Sequence, residues 1–139
     1  DFADAARGLT LADLTTLGLP RAQLAAVARH NLEGRLMNLD ERLAKAAPGS
    51  LVAIEPGNYY ESSRLLLNDR WAALSAKVKK PIVVAIPGND AALVVIDPSR
   101  EMLAGLAKVA RDEYSRADRP ISPSLYRWSN SGWTVVEAP

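Results

Sequence analysis

Up to about residue 47 the apolar positions of this chain recur at helical spacing. Beyond it, short continuous apolar runs alternate with helical stripes. Residues 1–8, rich in Ala and Asp, read as a lead-in. Thr10 then offers an N-cap oxygen with Asp13 three residues on, and a short helix, Leu11–Leu17, is expected to stop at Gly18. Pro20 suits the first turn of a second helix reaching about Met37, in which Leu24, Ala28, Leu32 and Leu36 recur at steps of four as one seam. His30 projects off that seam as a solvated histidine. Asn31, a poor helix former, is expected to hydrogen-bond to a loop. A further helix, Asp40–Ala47, ends at Pro48-Gly49, the one plausible internal boundary.

After that boundary the sequence repeats itself. Leu51-Val52-Ala53-Ile54-Glu55-Pro56 returns as Leu93-Val94-Val95-Ile96-Asp97-Pro98, 42 residues later, and each copy leads into a helical pattern and then another strand. The first strand is predicted over Ser50–Ile54, followed by a Pro56-Gly57-Asn58 turn. A helix is then predicted from Tyr60 to Val78, with Ser63, Leu67, Trp71, Leu74 and Val78 on its buried stripe. Ile82–Ile86 is apolar throughout, the mark of a strand covered on both faces. Pro87-Gly88-Asn89-Asp90 turns it into Ala92–Ile96 as an antiparallel hairpin. Asp97 is expected to cap a helix with Pro98 at its first position and Leu103, Leu106, Ala110 and Tyr114 on its inner face. A last hairpin joins Leu125–Trp128 to Trp133–Glu137, pairing Trp128 with Trp133, Tyr126 with Val135 and Arg127 with Thr134.

This order predicts an α+β protein: a ferredoxin-like, split βαβ antiparallel sheet with two helices on one face, an added C-terminal strand and N-terminal helices. The two repeated hexapeptides are expected to be adjacent, parallel strands. Residues 1–49 form an N-terminal helical segment packed on the same domain, and residues 50–139 form the sandwich.

The chain has 139 residues, 48% hydrophobic and 24% charged, with a formal net charge of +1. That balance is ordinary for a globular domain and carries no nucleic-acid footprint. Lys77-Val78-Lys79-Lys80, the densest basic run, offsets the negative end of a helix. There is no cysteine, so disulfides and thiolate chemistry are excluded, and His30 alone builds neither a zinc site nor a catalytic triad. No apolar run approaches a membrane span, and no signal-peptide pattern is present, so a cytoplasmic, membrane-free setting is expected, with a processed exported form as the alternative.

Several fragments together resemble the YtpQ-like family of uncharacterised bacterial proteins. They are Leu17-Gly18-Leu19, Leu24, Ala28 with Asn31-Leu32, Tyr59-Tyr60-Glu61-Ser62-Ser63 running into Leu65-Leu66-Leu67 and Trp71, Ile86-Pro87-Gly88-Asn89-Asp90, and Ser122 with Leu125-Tyr126 and Trp128. The match runs from about residue 9 to 134 and corresponds to the C-terminal portion of the family. It implies a bacterial source and a compact α/β domain, and no reaction.

Three constellations bear on chemistry. Glu55 and Asp97 close the repeated strands, and paired carboxylates at one sheet edge can divide acid and base roles or hold a divalent cation; as structural residues, Asp97 caps and Glu55 precedes a turn. Tyr59 to Ser63 is the densest polar-aromatic cluster, but it lacks the glycines of a nucleophile elbow, and a helix-capping or packing role suits Ser62 and Ser63 better. Tyr126, Trp128 and Trp133 either form an aromatic platform or close the core. The resulting expectation is a non-enzymatic interaction or regulatory domain binding a protein partner or small ligand through Tyr126, Trp128, Trp133, Tyr59 and Tyr60. It needs no cofactor and binds no nucleic acid. The alternative is a hydrolase-like or divalent-metal-dependent enzyme using Glu55 and Asp97 near the Tyr59–Ser63 turn.

Overall fold

A computed structural model describes residues 10–36, 38–54, 59–129 and 132–137. The expected lead-in, Glu55, the Pro56-Gly57-Asn58 turn and the hairpin tip Asn130-Ser131 lie outside the described residues. The chain divides into two compact units, residues 1–34 and 35–139.

The first unit holds α1 (Leu11–Thr16) and α2 (Arg21–Glu33). Its opening is a full capping box: the Asp13 N–H donates to the Thr10 hydroxyl oxygen, and the Thr10 N–H donates to the Asp13 carboxylate at 2.8 Å. Gly18 ends α1 at φ +60°, with the Leu19 N–H on the Leu14 carbonyl at 3.0 Å and the Gly18 N–H on that of Thr15 at 3.1 Å. That Schellman pattern needs a left-handed residue, which glycine supplies without a Cβ clash. α2 stops at Glu33, a turn short of the expected Met37, because Gly34 is costly inside a helix and instead caps its end. His30 and Asn31 are both exposed, and the loop hydrogen bond expected of Asn31 is not formed among the described residues.

The second unit runs α3 (Asp40–Ala44), β1 (Leu51–Ile54), a 3-10 helix (Glu61–Leu66), α4 (Asn68–Val78), β2 (Ile82–Ala85), β3 (Ala92–Ile96), α5 (Arg100–Arg116), β4 (Leu125–Ser129) and β5 (Gly132–Val136). The expected boundary at Pro48-Gly49 falls inside it, and Leu39 and Leu43 join the same buried cluster as Val52, Ile54 and Trp71.

The protein is α+β, with an open five-stranded antiparallel sheet in the order β1-β3-β2-β4-β5. Two expectations are corrected here. The repeated strands are neighbours, but antiparallel: Leu51 lies opposite Val95 and Ile54 opposite Ala92. The reason is the β2–β3 hairpin. The crossover through α4 returns β2 parallel to β1, two places away, and β3 fills the gap, so it must oppose both.

The second correction concerns the helices, which do not share one face as in a ferredoxin-like sandwich. β4 lies beyond β2, not beside β1. Both crossovers therefore step the same way across the sheet, but they start from strands of opposite direction. Two crossovers of one hand then place their helices on opposite faces. The cores agree. Trp71 and Leu74 of α4 pack with Val52, Ile54, Ile82, Val84, Val94 and Ile96. Leu103, Leu106, Ala107 and Ala110 of α5 pack with the alternate residues Val83, Ala85, Val95 and Leu125. β2, covered on both sides, is buried at every position, as its uniformly apolar sequence predicts.

The helix expected from Tyr60 to Val78 is broken at Leu67 (φ −86°, ψ 62°) into a 3-10 segment and α4. In a continuous α-helix the Arg64 carbonyl would accept from residue 68. Here it accepts from the Leu67 N–H at 3.1 Å and from the Trp71 indole N–H at 2.9 Å. A side chain on the next element thus takes the place of a helical bond.

α5 also starts later than expected. The Asp97 N–H extends the β2–β3 pairing by donating to the Pro81 carbonyl at 2.7 Å, and Asp97 turns left-handed at φ 55°. A residue before proline is disfavoured in the right-handed helical region, and aspartate tolerates the left-handed one. Ser99 is the N-cap instead, accepting from the Met102 N–H at 3.2 Å.

Two stability outcomes follow. Trp71, 3% exposed, is expected to cost about 3–5 kcal/mol on replacement by alanine, measured by denaturant unfolding; a loss below about 1 kcal/mol would show the α4 packing to be wrong. Lys79 closes α4 at φ 52°, where a Cβ is unfavourable, so Lys79→Gly is expected to raise stability by about 1 kcal/mol. An unchanged or lower melting temperature would mean that Lys79 adopts that conformation without strain.

Candidate functional site

The three tryptophans meet on the α4 face of the sheet. Trp133 of β5 lies edge-to-face against Trp71 (centroids 4.9 Å apart) and against Trp128 (5.1 Å). Its indole N–H donates to the Leu65 carbonyl at 2.9 Å. Trp128 is 8% exposed, Trp133 is half-buried, and the half-buried Tyr126 donates its hydroxyl to the Ser122 hydroxyl oxygen at 2.8 Å. The β4–β5 register is the expected one: Trp128 with Trp133, Arg127 with Thr134, Tyr126 with Val135. The hairpin rings thus pack against the α4-side core. What the hairpin exposes is backbone together with Arg127, Thr134 and Val135: β5 ends the sheet, pairs only with β4 among the described residues, and carries neither charge nor proline from Gly132 to Val136.

The exposed aromatics are elsewhere. Tyr59 is 71% exposed and Tyr60 39%. The Arg119 guanidinium lies 5.9 Å from the Tyr59 ring centroid, and that of Arg35 lies 5.4 Å from the Tyr60 ring, both within cation–π range. The backbone carrying them is tied to its neighbours. Ser62 donates both its N–H and its hydroxyl to the Asn89 carbonyl, and the Asn89 N–H donates to the Arg119 carbonyl at 3.2 Å. The N–H groups of Ile121 and Ser122 reach the carbonyls of Pro87 and Ile86. Pro87–Asp90 is therefore more than a hairpin turn: it joins the 59–63 and 117–122 segments at one end of the sheet. Gly88 allows the approach, since a Cβ there would lie 3.2 Å from that of Ala117.

Beside the tyrosines, Glu61 and Arg64 form an ion pair with bonds of 2.7 and 3.1 Å, their side chains only 3% and 10% exposed. The sequence offers the i, i+3 spacing that permits such a pair, but nothing in it indicates burial. Arg35 and Arg119 were also missed, because each reaches its tyrosine from a distant segment.

The Asp97 carboxylate bonds Lys80 at 2.9 Å, and Glu55 lies outside the described residues. The Ser62 hydroxyl is committed to Asn89, Ser63 is half-buried, and His30 belongs to the first unit. Among the described residues no group of three or more His, Asp or Glu side chains is placed to hold a metal ion, and no helix is long and apolar enough to cross a membrane. No protein-family model matches the chain, and no curated protein or solved structure matches it either.

Breaking the buried pair from one side is expected to be costly. Glu61→Ala leaves a buried guanidinium short of its carboxylate and should destabilise by about 3–5 kcal/mol, whereas Glu61→Met with Arg64→Met should recover most of that loss. Equal losses in the single and double variants would show that the pair is not a coupled unit.

Proposed function

We propose that this chain is a non-enzymatic interaction domain that recognises a protein partner through Tyr59 and Tyr60 with their overlying arginines, Arg119 and Arg35. The observation that carries this reading is the pairing of two exposed tyrosines with two arginines, beside a frame of backbone hydrogen bonds that joins Ser62, Asn89 and Arg119. Tyrosine and arginine are among the residues that dominate interface energies. A surface held in place before contact loses less conformational entropy on binding. The unguarded edge of β5 offers a second element, able to accept an extended segment by strand addition. Relative to the sequence-based expectation, the centre of the surface moves from Trp128 and Trp133 to Tyr59 and Tyr60.

The YtpQ-like resemblance, with its bacterial source and the expected cytoplasmic setting, belongs to the same proposal and rests on the residues quoted for it. The enzyme reading has no comparable support, since Asp97 is engaged by Lys80.

The test is capture and crosslinking from the native source with the intact chain as bait. A partner retained by the wild type is expected to lose about 2 kcal/mol or more of binding, roughly thirtyfold, to Tyr59→Ala combined with Arg119→Ala, at a melting temperature close to that of the parent. A partner held equally well by the double variant would place the contact surface elsewhere.

A further inference from the structure

A second site lies at the other end of the sheet. The tyrosine platform adjoins Ile86 and Leu125, whereas Pro81 and Trp128 lie towards the opposite ends of β2 and β4. There, small side chains of α4, Ser75 and Ala76 among them, leave an open hollow of about 480 Å³ against Trp128 and Pro81. That volume is in the range of small-molecule sites. Lys79 and Lys80 line the same hollow. Lys80 is engaged by Asp97, but the Lys79 ammonium and the Ser75 hydroxyl have no ion-pair or hydrogen-bond partner among the described residues. The end of α4 contributes only partial negative charge. Three lysines within four residues, Lys77, Lys79 and Lys80, outweigh it together with Asp97. Lys79 also occupies a left-handed position (φ 52°) that glycine would fill at lower cost. A strained residue that keeps a cation on the rim of a hollow is the kind of feature that accompanies function.

We propose that this hollow binds a small organic oxyanion, a phosphate ester or carboxylate borne on a compact apolar group. Lys79 and Lys80 supply the charge and the Ser75 hydroxyl a hydrogen bond, while Trp128, Pro81 and Ala76 cover the apolar part. The site stands apart from the tyrosine platform and does not depend on the partner reading.

The test is titration of the ¹⁵N-labelled full chain with phenyl phosphate, benzoate and inorganic phosphate, followed by amide and indole chemical shifts. The expected result is saturable change confined to the amides of Ser75–Lys80 and the Trp128 indole, with phenyl phosphate bound about tenfold more tightly than inorganic phosphate. Whichever aryl anion binds more tightly identifies the oxyanion. Lys79→Gln should weaken binding about tenfold, and Ala76→Leu, which fills the hollow from an exposed helix position, should abolish it. The proposal is overturned by absence of saturation up to about 50 mM, by inorganic phosphate binding as tightly as phenyl phosphate, or by shifts that neither variant alters.

Discussion

Trp133 is the contact on which the arrangement of the second unit turns. Its ring is wedged between Trp71 of α4 and Trp128 of β4, and its N–H holds the Leu65 carbonyl of the 3-10 segment. The Trp71 indole holds the adjacent carbonyl, that of Arg64. Two indole donors on two different elements thus pin successive carbonyls of one short segment. That segment carries Glu61 and Arg64 and leads directly from Tyr59 and Tyr60. The aromatic cluster fixes the stretch of chain that presents the exposed tyrosines.

The sheet divides labour between its faces. α4 and the three tryptophans fill one face, α5 the other, and the central strands β2 and β3 are buried between them. Placing β4 beyond β2 leaves β1 and β5 as the two terminal strands. The surfaces proposed for contact lie accordingly at the ends and rims of the sheet: the exposed tyrosines at one end, the lysine-lined hollow at the other, and the uncharged edge of β5 along one side.

Local features were legible in the sequence because their causes are local. The Thr10–Asp13 box, the glycine closing α1, the β2–β3 hairpin and the cross-strand pairs of the last hairpin all follow from residues a few positions apart. What was not legible depended on distant partners. The break at Leu67 is set by an indole four residues on whose orientation is governed by Trp133. The direction of β1 against β3 is set by the α4 crossover and the β2–β3 hairpin together, not by the hexapeptide repeat. Whether the hairpin aromatics formed a platform or closed the core was left open by the sequence for the same reason. Periodicity marks which side of β4 and β5 a ring takes, but not that α4 covers that side. The site residues divide likewise: Tyr59 and Tyr60 stood out by composition, while the arginines above them are contributed by positions 35 and 119.

The interleaving of the strands has a kinetic consequence. β1 and β2 are never in contact, because β3 separates them; β3 and β4 are likewise separated by β2. Neither β-α-β half can close upon itself, so each needs a strand of the other to be complete. The β2–β3 hairpin, joined by the short Ile86–Ala91 link, supplies both inserts at once. Local pairing is reached with less loop-closure entropy than the remote β1–β3 and β2–β4 ladders. Among the ladders that interleave the two halves, the β2–β3 hairpin is therefore the one expected to form first. Weakening β2 or β3 should slow folding, whereas weakening β1 or β5 should mainly hasten unfolding.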